Sequence, residues 1–255
     1  ERWLYGTGCY MGLEISRITR RTSKTNQGRK KSSVAEIDHT VIPLFSIPLY
    51  KSRLQSLDPL MYQKLTNNEW EKNEGFVTHV ETAERHLLDR AEFKGLKSQI
   101  QKHVDHYAYE VIGSQRDISW EITTSWVNRS NNNDYHTSHW HSNSLISGVY
   151  YINTNPDSGA IVFHKDKAHK NLWGDTLRID WDKETDYNTE AVGVLPKPND
   201  ILLFPSILAH SVMTNTSDES PFRKERVTVT PNPTSADKDD TYTYTTTLDL
   251  FEDAA

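Results

Sequence analysis

The spacing of apolar positions changes character twice along the chain. Val41-Ile42-Pro43-Leu44-Phe45-Ser46-Ile47-Pro48-Leu49-Tyr50 is almost continuously apolar and β-prone, and its two prolines predict an edge strand at the start of the folded region. Helical spacing follows. Asp58-Pro59, a cap residue and a first-turn proline, opens a predicted short helix over 57–70. A longer helix is predicted over 90–111, where Phe93, Leu96, Ile100, Val104, Tyr107 and Val111 recur every third or fourth residue as one apolar stripe, with His103 and His106 on its rim. After Gly113 the period becomes two: Trp120, Ile122, Thr124 and Trp126 alternate with polar neighbours, as in a half-buried strand. Short strands are predicted over 146–153, 160–164, 176–180, 191–194, 201–205, 210–215 and 226–230. Turn signals such as Asn155-Pro156-Asp157-Ser158-Gly159 and Lys197-Pro198-Asn199-Asp200 separate them. Two helices followed by a run of short strands predict an α+β domain on a sandwich or barrel.

Charge and composition set the limits of that domain. Between Ser16 and Ser33 the only large aliphatic residue is Ile18, while Arg17, Arg20, Arg21, Lys24, Arg29, Lys30 and Lys31 carry seven positive charges with no acid. Residues 1–38 therefore read as a flexible basic arm, 41–232 as the folded domain, and 233–255 as a polar, acidic tail or a terminal strand. Taking those seven charges from the net of −6 leaves −13 on the remainder. An acidic body is not the pattern of a dedicated nucleic-acid binder, so any such contact falls to the arm. Seven Trp, twelve Tyr and seven Phe in 255 residues are enough for a sizeable core. No apolar run approaches the ~20 residues of a membrane span, and the single cysteine, Cys9, cannot form an internal disulfide. A cytoplasmic protein is expected.

Three of the eleven histidines crowd into residues 136–141. On a strand His139 and His141 would project to one face, about 6–7 Å apart, which lets two imidazoles converge on a cation with bonds near ~2.0–2.2 Å. His136 has the opposite parity. The third ligand must come from elsewhere, and His210, just past the apolar strand Ile201-Leu202-Leu203-Phe204, is the natural choice. A hairpin between 209–215 and 223–230, turning near residue 218, would set Arg226 one strand over from His210. There its planar fork could take the distal carboxylate of an oxoacid chelated to the metal. Thr228 shares the face of Arg226, Val227 and Val229 take the packing face, and Arg223 is the second choice. The competing reading makes Arg226 a surface residue paired with Glu219 or Glu225.

These residues resemble a known family. His139-Trp140-His141-Ser142-Asn143-Ser144-Leu145-Ile146-Ser147-Gly148-Val149-Tyr150-Tyr151 is similar to the H-x-H-x-x-S-x-x-SGVYY signature of 2-oxoglutarate/Fe(II) oxygenases of bacteria and phages. Ile42-Pro43-Leu44-Phe45, Ser125-Trp126-Val127-Asn128, Ser158-Gly159-Ala160-Ile161-Val162-Phe163, Leu203-Phe204-Pro205-Ser206 through His210, and Arg226-Val227-Thr228 extend the likeness over roughly 41–232. The resemblance implies a double-stranded β-helix (jelly roll) backed by N-terminal helices. It implies Fe(II) on His139, His141 and His210, and 2-oxoglutarate held by Arg226 with Thr228. Tyr151 would supply a hydroxyl to the same carboxylate, and Asn128 would line the site. The implied reaction uses O2 to decarboxylate 2-oxoglutarate to succinate and CO2 while hydroxylating an unidentified substrate, in the host cytoplasm if the chain is phage-encoded. His141 stands where related oxygenases carry an Asp or Glu ligand, Asp200 where a glycine is usual, and Pro231 where a phenylalanine is.

Two other readings compete. A cupin-like metalloprotein that does not use 2-oxoglutarate would carry a Glu shortly after the H-x-H pair, and residues 142–147 contain none. The other is a non-catalytic jelly-roll binding or virion-associated protein that keeps a relic metal site; His139, His141, His210 and Arg226 placed around one pocket would argue against it, and their dispersal would sink the oxygenase reading. Trp140 and Trp173 are candidate walls of a substrate groove, and the oligomeric state, a homodimer included, is open.

Overall fold

A computed structural model describes residues 15–16, 39–72, 80–165, 181–217 and 224–235. The predicted strand 176–180, Trp173, Arg223, Glu219 and most of the basic arm and the terminal tail lie outside them. Asp58 opens α1 (Pro59–Thr66) as its sequence predicts: the carboxylate accepts the Met61 amide at 2.8 Å and Pro59 occupies the first turn. The longer stripe folds as two tight 3-10 turns, then α2 (Lys94–His106), then a wider π-helical turn over Tyr107–Ile112 that stops at Gly113. Phe93, Leu96, Ile100, Val104 and Tyr107 are buried, but Val111 is 42% exposed. The π turn takes more residues per revolution, so Val111 rotates off the stripe and Ala108 is buried instead.

The strand expected over 41–50 starts only at its last residue, as β2 (Tyr50–Arg53). Val41, Ile42, Leu44 and Phe45 are exposed, because prolines 43 and 48 remove amide donors that a ladder needs. The remaining strands are β3 (Trp70–Lys72), β4 (Val80–Thr82), β5 (Ile118–Ser130), β6 (His136–His139), β7 (Ile146–Asn153), β8 (Ile161–His164), β9 (Ala191–Val194), β10 (Asp200–Pro205), β11 (His210–Val212) and β12 (Lys224–Ser235). β12 runs past the expected boundary at 232. Two antiparallel sheets result. One has the order β2-β10-β7-β12-β5-β4-β3, and the other β1-β9-β8-β11-β6, where β1 is Ile15–Ser16 at the edge. The two residues of β1 are the only described part of the arm, and they are strand-paired to β9.

Helices pack on the outer face of the seven-stranded sheet. Leu65, Leu96, Ile100, Val104 and Tyr107 share one core with Ile122, Val127, Tyr150, Leu203, Val227 and Val229. Its inner face meets the five-stranded sheet in a second core, where Val149, Tyr151, Leu202 and Phe204 pack against Ile161, Phe163 and Val194. Strand alternation thus divides each central strand cleanly, apolar toward the helices and mixed toward the interior. β5 departs from the simple alternation its sequence suggests. Thr230 opposes Thr124 and Pro231 opposes Ile122, so Thr123 is an extra residue and the strand bulges. Trp120 and Ile122 face the helices, and after the bulge Ser125 and Val127 do. Thr124, Trp126 and Asn128 are thereby turned inward.

The turn before β8 is held by close backbone approach. Gly159 has φ +80°, and a Cβ there would lie 2.2 Å from the Met213 carbonyl oxygen. Gly159→Ala is expected to cost about 2–4 kcal/mol in urea unfolding, combining a disallowed φ with a backbone clash; a loss under about 1 kcal/mol would contradict this contact.

Candidate active site

β6 and β11 are neighbours, with His139 directly opposite His210. β6 ends at His139, so His141 is not its same-face strand partner as the spacing suggests. The chain bends after Trp140, and the His141 amide donates to Ser206 O at 3.0 Å, which fixes the bend. The rings converge all the same. The His139 centroid lies 5.2 Å from that of His141 and 4.2 Å from that of His210, and one ring nitrogen from each residue falls within 4.8 Å of the others. Among the described residues no carboxylate belongs to this cluster. His136 stacks on His139 at 3.8 Å and is not one of the three.

Backbone contacts decide which nitrogens face inward. Nδ1 of His139 lies 2.9 Å from Thr137 O, and Nδ1 of His210 lies 2.9 Å from Leu208 O. A carbonyl only accepts, so each Nδ1 carries the proton and each Nε2 keeps its lone pair, as metal ligation requires. Burial keeps the rings neutral. It drives His210 down to about 3, with His139 and Arg226 adding to the effect, and His141 down to about 4, with His139 adding. His139 is lowered too, by burial first and then by the Arg226 guanidinium, against the opposing hydrogen bond to Thr137.

The predicted hairpin between 209–215 and 223–230 does not form. β11 lies in the five-stranded sheet and β12 in the seven-stranded one, so His210 and Arg226 come from opposite walls of the sandwich, not from one ladder. Arg226 is only 4% exposed, so it is no surface residue, and Glu225 turns the other way to pair with Arg129 at 2.8 Å. Arg226 stands between Asn128 on β5 and Tyr151 on β7 in register. Asn128 Nδ2 donates to Thr228 Oγ1 at 2.8 Å, and Thr228 is the next inward residue of β12. All four expected co-substrate residues thus form one buried patch. Burial raises the Tyr151 phenol well above its usual value, although the Arg226 charge opposes this, so it stays protonated. Tyr150 faces the helices, where its hydroxyl donates to Asn199.

Several neighbours escaped the sequence reading. The Trp126 ring centroid lies 6.2 Å from that of His141 in a tilted, edge-type contact, and Phe163 and Phe204 close around His210. Lys224 is fully buried on the inward face of β12, where its parity with Arg226 would have revealed it. Trp140 is 62% exposed beside the cluster.

Residues 124–232 match the family model described as "Putative 2OG-Fe(II) oxygenase". No curated protein matches the chain significantly. Among solved structures it is similar to the α-ketoglutarate-dependent epimerase SnoN from nogalamycin biosynthesis, at 12% identity over 73% of this chain and 76% of that one, with a TM-score of 0.50. The same epimerase in complex with Fe3+, α-ketoglutarate and nogalamycin RO matches at 14% identity over 73% and 79%, again with a TM-score of 0.50. A prolyl-4-hydroxylase from Pseudomonas putida matches at 11% over 74% and 94%, with a TM-score of 0.48. The likeness to SnoN shows a shared jelly-roll fold.

The neutral cluster has a consequence for stability. Unfolded, His141 and His210 protonate near 6.5; folded, they stay neutral to about pH 4 and 3. Between those limits the unfolded chain binds more protons, so metal-free protein loses stability as the pH falls from 6.5 toward 4. Urea unfolding near pH 7 and pH 5 is expected to show a drop about 3–4 kcal/mol larger in the wild type than in a His141→Gln/His210→Gln variant. Equal drops would contradict burial of neutral imidazoles.

Proposed function

We propose that this chain, a 2-oxoglutarate- and Fe(II)-dependent oxygenase over residues 124–232, holds its metal on His139, His141 and His210 and its co-substrate on Arg226. The convergence of three imidazoles within 4.8 Å, on the wall facing a buried Arg226, carries this reading. Nε2 is the donor atom of His139 and His210, since the opposite nitrogens are committed to backbone carbonyls. With 2-oxoglutarate and O2, the iron supplies the oxidative decarboxylation to succinate and CO2 and the hydroxylation of a substrate C–H bond.

The chain's own residues position and shield these reactants. The Arg226 fork presents parallel N–H donors that match the distal carboxylate of 2-oxoglutarate. Asn128 occupies a lone pair of the Thr228 hydroxyl, which leaves that hydroxyl's hydrogen to donate to the same carboxylate. The protonated Tyr151 phenol is a third donor on the patch. Phe163 and Phe204 keep water from His210. The Ser147–Tyr151 and Leu203–Ser206 blocks support placing the enzyme with oxygenases of the bacterial and phage type.

Succinate release by anaerobically Fe(II)-loaded protein, once oxygen is admitted, tests the reading. Wild type is expected to turn over 2-oxoglutarate without added substrate, and Arg226→Ala to raise its KM about 100-fold. His210→Ala is expected to abolish turnover. An unchanged KM in Arg226→Ala would refute the assignment of the co-substrate.

A further inference from the structure

Lys224 is 0% exposed, two residues from Arg226 on the same inward face of β12. Its Nζ donates to two neutral acceptors, Ser158 O at 3.0 Å and Gly159 O at 2.6 Å, and lies 5.5 Å from the centroid of the Tyr151 ring. No carboxylate among the described residues forms an ion pair with it. The nearest buried acids are committed elsewhere: Glu225 to Arg129 and Tyr62 on the other face of the sheet, and Asp200 to Lys51 and Arg53. Two basic side chains are therefore buried side by side on one strand, the Arg226 charge disfavouring the charged form of Lys224, in an interior whose described residues offer Lys224 carbonyl dipoles and a π face but no anion. Burial first, and then the Arg226 charge, push the Lys224 amine well below its usual range, while the two carbonyls and the ring fix its place beside Tyr151, where a bound anion would favour the ammonium.

Such an arrangement is unfavourable for the empty protein and favourable for a protein that admits an anion at that spot. We propose that Lys224 is a second cation of the co-substrate pocket, acting with Arg226 on the distal carboxylate of 2-oxoglutarate; this rests on the assignment of Arg226 above. Arg226 makes the directional contact. Lys224, behind the Tyr151 ring, adds charge without a hydrogen bond to the ligand and raises the preference for a dicarboxylate over a monocarboxylate. It is a positioning residue, since its ammonium stays on the carbonyls of the Ser158–Gly159 turn. That turn is held in place by the close approach of Gly159 to Met213.

Two ligands separate this role from a purely architectural one: 2-oxoglutarate, and 2-oxopentanoate, which has the same carbon chain but no distal carboxylate. Anaerobic calorimetric titration of Fe(II)-loaded protein reads their affinities directly, without turnover. In Lys224→Met the Kd for 2-oxoglutarate is expected to rise about tenfold while that for 2-oxopentanoate stays unchanged. Equal weakening of both ligands, or no change in either, would overturn the proposal. Lys224→Gln, which removes the charge but keeps an N–H donor for the carbonyls, gives the same comparison if the methionine variant does not fold. Failure of both to fold would assign Lys224 to the architecture alone and overturn the proposal as well. Arg226→Ala distinguishes the underlying assignment. If it leaves the preference for 2-oxoglutarate over 2-oxopentanoate intact, the co-substrate site lies elsewhere, whatever Lys224 does.

Discussion

The alternation of β12 is the constraint on which the site depends. Val227 and Val229 are buried against the helices, and that burial fixes the strand's register. A slip of one residue would send two valines into the polar interior and Arg226 and Thr228 into an apolar helix interface, where a guanidinium has no partner. Because the valines cannot move, Lys224, Arg226, Thr228 and Thr230 must face inward. The neighbouring strands then set what they meet: Asn128 on one side of Arg226, Tyr151 on the other. The helices, which contribute no residue to the site, are thus what aims it.

Bulges make the same constraint serve several strands. Without Thr123 as an extra residue, Trp120, Ile122, Thr124 and Trp126 would share one face, and Asn128 would lie with them against the helices. The insertion lets an apolar start of β5 and a polar end both point where they are needed. Its place follows from Pro231, which cannot donate to a ladder and sits where β12 has already lost β7 as a neighbour. A second irregularity, between Glu225 and Arg226 against β7, brings Tyr151 opposite Arg226. A third, between β6 and β11, lets His139 meet His210 although Val212 opposes His136.

Much of this was legible in the residues. Period-two and period-four patterns located most of the described strands and both helices, and 146–153 is the extent of β7. Inward parity of Arg226 and Thr228 followed from their alternation with valines. What local pattern could not give was which strands share a sheet. A hairpin between 209–215 and 223–230 was the economical guess, and it put His210 beside Arg226 for the wrong reason, since the chain crosses between sheets there. Nor could strand spacing foresee that β6 stops at His139, because the bend is set by a hydrogen bond from His141 to Ser206, 65 residues on in sequence. Pro43 and Pro48 were read as edge signals when they end the ladder outright. Lys224 was overlooked although the parity argument applied to it unchanged.

The distribution of charge explains why the two walls differ. On the histidine wall, strands β6, β8, β9 and β11 contain no Asp, Glu, Lys or Arg. The charged residues of the interior sit on the other wall: Arg226 on β12, and Asp200 on β10, which is paired with Lys51 and Arg53. On the proposed assignment, a divalent cation among three neutral imidazoles would keep its full charge, since no carboxylate among the described residues joins them, and it would face the buried Arg226 guanidinium. Each wall therefore destabilises the charged state of the other, as the lowering of His139 and His210 by Arg226 already indicates. An anion with a carboxylate at each end relieves both walls at once. Binding of the metal and binding of the dicarboxylate are then linked, each strengthening the other by the same free energy, because linkage is reciprocal. Replacing a ligand carboxylate by His141 increases that coupling: it removes the negative charge that would otherwise shield the metal from the opposite wall. On that assignment, the third histidine would be a means of making the metal site depend on the co-substrate.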